Sequence, residues 1–347
     1  MSILDSELLM FRSLVVDDTT GNGGKLDNAA QVITGVVNNV WPSVFKAERL
    51  AGSEKYRKTF LKVQNDDDLI LYYPQVWIDI ITPGDDHVTF FAGTQEDTQN
   101  GINGSELHYG CGTLDADITG GNVTSTFDVD VEHLNLITGA VDEIFRDGDT
   151  IRITDKIDPT SGSGNEEIHT ISGTPTNTDT VVTITITGTV ANAFTTLANT
   201  RVMTVYEPTD TVSNWDNWVE TCKGTGTYDE GTTGNVVADN IGSIEETYTL
   251  TFTDATHFTV KNAAMETTGT GDTGTNFIPL NADNSKPLLT LLAAGWAGVW
   301  DETGTADNIV FKTHPATIPI WQKRTVPAGA GSLAGDKTVI AVTGESV

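Results

Sequence analysis

Residues 46–82 read KAERLAGSEKYRKTFLKVQNDDDLILYYPQVWIDIIT. Between positions 46 and 62 lie Lys46, Arg49, Lys55, Arg57, Lys58 and Lys62, six of the 19 Lys and Arg residues in a chain whose formal net charge is −29. The spacing predicts strands over 56–63, 69–73 and 75–82, with the polar turn Asn65-Asp66-Asp67-Asp68 between the first two. Within 56–63 the alternation is mixed: Tyr56, Lys58, Phe60 and Lys62 face one way, Arg57, Thr59, Leu61 and Val63 the other. Such a pattern suits Lys and Arg stems laid over apolar surface with their charged tips outside. A basic stripe on an acidic protein is either a docking face for an acidic neighbour, a second copy included, or an ordinary solvated strand face.

Composition sets the class. The chain has 347 residues, enough for two or three domains with separate cores. Its Thr, Gly, Asn and Asp fill turns and β-edges more readily than helix interiors, so an all-β fold is expected. The acidic balance argues against nucleic acid and against an anionic membrane surface as partners. Asp5 and Glu7 occupy the first turn, where a secretory signal would carry basic residues. The apolar stretch 287–300 is too short and too interrupted by glycine to span a bilayer. Cys111 and Cys222 have no metal-type spacing and read as free thiols, with a single disulfide the alternative.

Outward from the basic stretch, 31–41 (QVITGVVNNVW) reads as a strand or a short helix, the β-branched density and Gly35 favouring strand, and Pro42 stops it. Residues 87–91 form a further strand, and 93–111 a polar linker or contact loop. From Gly112 the texture changes to strands over 122–131, 144–153 (with Asp147-Gly148 as a turn), 167–172, 180–189 and 200–206, the pattern of a compact barrel or sandwich. Strands over 215–222, 245–252 and 258–261 follow, then the Gly/Thr run 267–275, read as a loop. The last strands are 309–312, 318–322 and 338–342. Residues 40–92 supply too few strands to bury both faces of a sheet, and the final three strands have no partner of their own. The expected organisation is therefore a β-sandwich formed by N- and C-terminal segments, with one or two small β-barrel or sandwich domains inserted. Its parts are 1–105 (first part of the sandwich), 106–208 (barrel-like insertion), 209–308 (second β-rich insertion) and 309–347 (strands completing the sandwich).

Chemistry is hard to find. His87, His108, His133, His169, His257 and His314 are scattered without ligand spacing. Gly24-Lys25 fails as a phosphate loop, because Leu26 follows where Ser or Thr is needed and Thr19 replaces the first glycine. Neither a nucleophile elbow nor a catalytic cysteine signature occurs. Pairs such as Asp115/Asp117 and Asp128/Asp130 are expected by chance among 48 Asp and Glu residues. The acidic turns at 65–68 and 85–86 lack calcium-loop spacing. Trp215 and Trp218 suggest a sugar-stacking platform or, equally, core. No catalytic residue, metal ligand or cofactor is assigned.

AGSEKYRKTFLKVQNDDDLILYYPQVWIDIITPGDD (51–86) resembles a segment of structural proteins of tailed bacteriophages. There a small residue and Gly precede Tyr-Arg, and a Trp-Ile strand runs into Thr-Pro. GVVNNVWPSV (35–44) and HPATIPIWQKRTVPAGAGSLAGDKTVIAVTGES (314–346) are similar to the same family, with Trp321, Lys323, Arg324, Val326, Pro327, Ala328 and Gly329 in its Trp, basic-pair and Val-Pro-Ala-Gly positions. The match covers about a third of the chain, at its two ends. It implies a non-enzymatic virion protein made in the host cytoplasm, assembling with other virion proteins as a symmetric homo-oligomer. Tail or baseplate is the first placement, and neck or capsid decoration the second. A host-receptor or carbohydrate-binding module is the competing reading. Lys55, Arg57, Lys58, Lys62, Lys323 and Arg324 would then be the interaction residues, their charges meeting acidic neighbours.

Overall fold

A computed structural model describes residues 2–131, 143–158, 161–178, 180–300 and 307–346. The chain is all-β, with antiparallel pairing throughout its sheets. Ser53–Val63 is the central strand of the first sheet. On one side it pairs with Leu8–Val15, which carries Gly23–Val32 at the edge. On the other it pairs along its whole length with Thr317–Val326, and His87–Ala92 follows. A second layer consists of Tyr72–Ile80 paired with Val339–Glu345. Leu61, Phe90, Ile318 and Ile320 from the first layer share a buried cluster with Val76, Trp77 and Ile78 from the second. Burial of this inner face joins strands more than 250 positions apart.

The return of the chain starts later than residue 309. Strand Asn308–His314 pairs with Asn214–Thr221 and Glu246–Phe252, so it belongs to the third unit. The reason is packing: Ile309 and Phe311 are fully buried in that unit's aromatic core. Pro315, which cannot donate to a ladder, separates it from Thr317–Val326.

The middle unit is one seven-stranded sheet, a half-barrel, in the order Thr176–Thr178, Val181–Val190, Thr124–Asp130, Cys111–Leu114, Arg201–Thr204, Thr150–Thr154, Glu166–Thr170. Its core gathers Phe127, Val129, Ile151, Ile153, Ile184 and Phe194. Of the expected strand over 144–153 only Thr150–Thr154 forms; Ile144 and Phe145 are buried but irregular.

In the third unit a five-stranded sheet covers an aromatic core in which Trp300 stacks on Phe252 at 4.3 Å. The Gly/Thr run is not a loop: Thr267–Asp272 is an edge strand paired with His257–Asn262. Gly269 and Gly271 permit it, since a Cβ at Gly271 would lie 2.6 Å from the Phe258 ring and one at Gly269 3.0 Å from Phe277. The glycines that suggested a loop serve to bring the strand close to two rings.

Two expectations near the chain start also change. The early strand is Gly23–Val32, and 33–45 is a loop in which Gly35 and Asn38 take φ of 82° and 58°. The short helix Lys46–Ala51 then follows, the Glu48 carboxylate accepting the Phe45 amide at 3.1 Å. Residues 69–71 do not form a strand, because the chain there turns to meet the third unit. Leu71 makes an isolated bridge to Thr211, and Asn240 donates to the Leu69 carbonyl.

Candidate functional site

The basic residues singled out from the sequence converge on the first sheet, but their tips lie inside. All residues from Arg57 to Val63 are buried, because both faces of the strand are covered. Leu61 faces the sandwich interior, while Phe60 packs with Phe11 and Leu26 on the other side. The mixed alternation thus marks a strand buried twice over, with cations among the apolar positions.

Each cation is met within the chain. The Lys58 side chain is 0% exposed, and its Nζ reaches Asp97 Oδ1 at 2.6 Å, the Gly24 carbonyl at 2.7 Å and the Asp97 carbonyl at 3.0 Å. Its ammonium also lies 5.0 Å from the Phe60 ring centroid. Burial pulls the Lys58 pKa below the ordinary lysine range despite the Asp97 carboxylate. Lys62 donates to Asn28 Oδ1 at 2.6 Å and to the Ile241 carbonyl of the third unit at 2.7 Å. Arg57 binds Asp18 at 2.6 Å and the Asp17 carbonyl at 2.8 Å. Lys55 bridges Asp18 at 3.0 Å and Glu48 at 2.9 Å. Burial opposes the Lys55 charge, but the two carboxylates outweigh it and raise its pKa. Lys323 meets Glu54 at 3.0 Å. Arg324 donates to the Pro42 carbonyl at 3.0 Å, its guanidinium 5.0 Å from the Trp41 ring; Arg57 approaches the same indole at 5.4 Å.

The six residues therefore hold the loops at 17–24, 41–48 and 97 onto the sheet, and link the sheet to the third unit. The expected docking face, with charged tips outside, is corrected: those tips are used within the chain. Replacing Arg57, Lys58 and Lys62 together by alanine would strip buried partners, so the isolated fold is not expected to survive that change.

Trp321, in the resemblance segment, organises the same place. Its Nε1 donates to Asp97 Oδ2 at 2.8 Å, so one carboxylate joins the indole to Lys58. Gly23 lies against this ring with φ +108°, where a Cβ would stand 2.7 Å from Trp321 Cη2 and 2.9 Å from the Asp97 carbonyl. Gly23→Ala is expected to cost about 2–4 kcal/mol, from a displaced ring and a strained backbone. A denaturant titration checks this, and a loss below about 1 kcal/mol would show that the loop moves freely away.

The other candidates resolve into structure. Trp215 and Trp218 meet edge-on at 5.6 Å, and Trp218 stacks on Phe311 at 5.1 Å, so they pack against the core and do not form a flat open platform. Asp117 accepts the Thr196 amide, and Asp128 the Thr183 hydroxyl. In the acidic turns, Asp68 accepts the Asn240 amide, Asp66 pairs with Lys286 and Asp85 accepts the Gly331 amide. Among the described residues no cluster of His, Cys, Asp and Glu is arranged to hold a metal ion. His87 and His108 are buried, His314 lies between Asp216 and Glu245, and His133 is outside the described residues. Cys111 and Cys222 are free thiols, and burial pushes the Cys111 thiol up to about 12, far from a nucleophile. No described helix is long and apolar enough to cross a membrane.

A polar cleft of about 340 Å³ opens where the three-way junction of Gln95, Thr209–Asn214 and His314–Thr317 meets, with Asp210 and Asp216 on its wall. It lacks an aromatic face or a buried unpaired polar group among its lining residues. Comparison with protein families, curated proteins and solved structures finds no match to this chain.

Proposed function

We propose that this chain is a non-enzymatic structural subunit of a tailed-bacteriophage virion, placed in the tail or baseplate and assembling with other virion proteins. One observation carries the reading. The segments that resemble the phage family, 35–44, 51–86 and 314–346, lie far apart in the chain and come together in one unit. Trp321 pairs across from Lys58, and Ala341 across from Trp77. The resemblance thus falls on a single folded element, the sandwich closed by the two chain ends, as expected if that element is what the proteins share. The placement of the basic residues supports a scaffold, since Lys58, Lys62 and Arg57 tie the 97 loop, the third unit and the 17–18 segment to the sheet.

A cryo-EM map of the phage particle tests the proposal. Density for this chain in a ring at the distal tail is the expected result. Density at the neck or on the capsid would keep the structural class and move the placement to a decoration role. Absence from the particle would reject the proposal. A glycan array addresses the carbohydrate-binding alternative, which the packing of Trp215 and Trp218 disfavours; no binding is expected.

A further inference from the structure

We propose that residues 33–50 form a preorganised contact surface for a second copy of this chain. The segment is a long loop followed by one short helix, and five of its apolar side chains point outward while Trp41 packs beneath. Val37 is 77% exposed, Phe45 69% and Leu50 66%, with Ile33 and Val36 also more than half exposed. Leu14 and Val16 are exposed on the neighbouring 14–18 segment, which Arg57 and Lys55 tie to the same region through Asp17 and Asp18. Loops of this length without regular structure are uncommon in compact domains unless they have a role, and grouped exposed apolar residues mark contact surfaces.

The loop is held from beneath. Trp41 is flanked by the Arg57 and Arg324 guanidiniums, and Arg324 donates to the Pro42 carbonyl. Arg49 donates to the Val44 carbonyl at 3.0 Å and accepts the Gly329 amide on its own carbonyl at 2.6 Å. Asn39 closes the loop onto the Ile33 carbonyl at 2.8 Å. Ordering is already in place in the single chain, which lowers the entropy cost of association. The internally spent cations thereby acquire a purpose: they fix the base of a contact loop.

Charge selects the occupant. Two copies of a chain with net charge −29 repel wherever carboxylates face each other. Residues 28–47 contain no Asp or Glu, and neither do 308–335, whose 328–329 turn packs against Gly52 and Arg49. Glu48, the one carboxylate within 33–50, is paired with Lys55, the adjoining Asp18 with Lys55 and Arg57, and Asp17 accepts the Thr19 amide. An apolar face whose carboxylates Asp18 and Glu48 are already paired within the chain suits another copy of the same face better than it suits a strongly charged partner.

The test uses the purified full chain in analytical ultracentrifugation over a range of concentrations and salt. Wild type is expected to self-associate, with an affinity that added salt does not weaken, because the contact is apolar and salt screens the surrounding repulsion. The pair Val37→Asp and Phe45→Asp, both at exposed positions, is expected to weaken association at least about tenfold. A wild type that stays monomeric up to about 100 µM overturns the proposal, as does a variant that associates like wild type. Should the variant misfold, hydrogen exchange on wild type decides: association must protect 33–50, and protection confined elsewhere rejects it. The result is independent of the virion reading, since it needs no particle.

Discussion

Lys58→Ala is expected to destabilise the N-terminal sandwich by about 3–5 kcal/mol, the range for removing one partner of a buried charge pair. The ammonium is the shared donor for Asp97 Oδ1, the Asp97 carbonyl and the Gly24 carbonyl. Alanine leaves those acceptors without it and opens a cavity beside Phe60, so desolvation and packing losses add. The Asp97 side chain is 29% exposed, which gives water partial access to its carboxylate and keeps the loss from growing larger. Chemical denaturation of the full chain measures the effect, and hydrogen exchange along Thr317–Val326 localises it. Lys58→Met separates the contributions, since it restores volume without charge. It should recover a third or more of the loss, and more when combined with Asp97→Asn, which removes the stranded charge. A loss under about 1 kcal/mol for the alanine variant would mean that the 97 loop relaxes into water and that Lys58 is not a fastener.

How much of this was legible in the sequence depends on the element. The β character follows from the Thr, Gly, Asn and Asp content, and the strand around 56–63 from its alternation and the polar turn at 65–68. The return of the C-terminal strands follows from counting partners, because an unpaired hydrophobic strand has to find an edge. The direction of the Lys58 and Lys62 side chains does not follow. Period-two alternation says which residues share a face, but not whether that face is later covered by a loop from position 97 or by another unit's carbonyl at Ile241. A cation on a strand therefore reads as exposed until its distant partner is known. Thr267–Asp272 was hidden for a related reason: its glycines are explained by Phe258 and Phe277, which come from other parts of the third unit. Val37 shows the opposite case, since the β-branched residues of 31–41 favoured a strand that the positive φ at Gly35 and Asn38 prevents.

Lys62 gives the clearest dependence on pH. It is 1% exposed and bonded to the neutral acceptors Asn28 Oδ1 and the Ile241 carbonyl, with Asp239 the charged group acting on it. Burial dominates, pulling its pKa from 10.5 to about 7 in the folded chain. Between those values the unfolded chain holds a proton that the folded chain has released. Stability must therefore rise with pH across this window, by up to about 1.4 kcal/mol per unit from this one group. Lys58, shifted in the same direction, adds to the slope. Carboxylates with raised values, such as Asp68 and Asp79, act at lower pH, and the buried Tyr248 phenol, pushed upward by burial, acts at higher pH. The interval from about pH 7.5 to about pH 9.5 lies above these carboxylates; the Cys111 thiol, pushed up to about 12 by burial, opposes the lysines towards its upper end, but equally in wild type and in a Lys62 variant. Lys62→Met cannot titrate, so wild type should gain stability relative to it steadily across that interval, whatever the variant loses in hydrogen bonds at pH 7. Denaturation midpoints measured at several pH values give the two curves. Parallel curves would mean that Lys62 keeps its proton, and that the junction between the first sheet and the 239–243 loop is wet enough to solvate it.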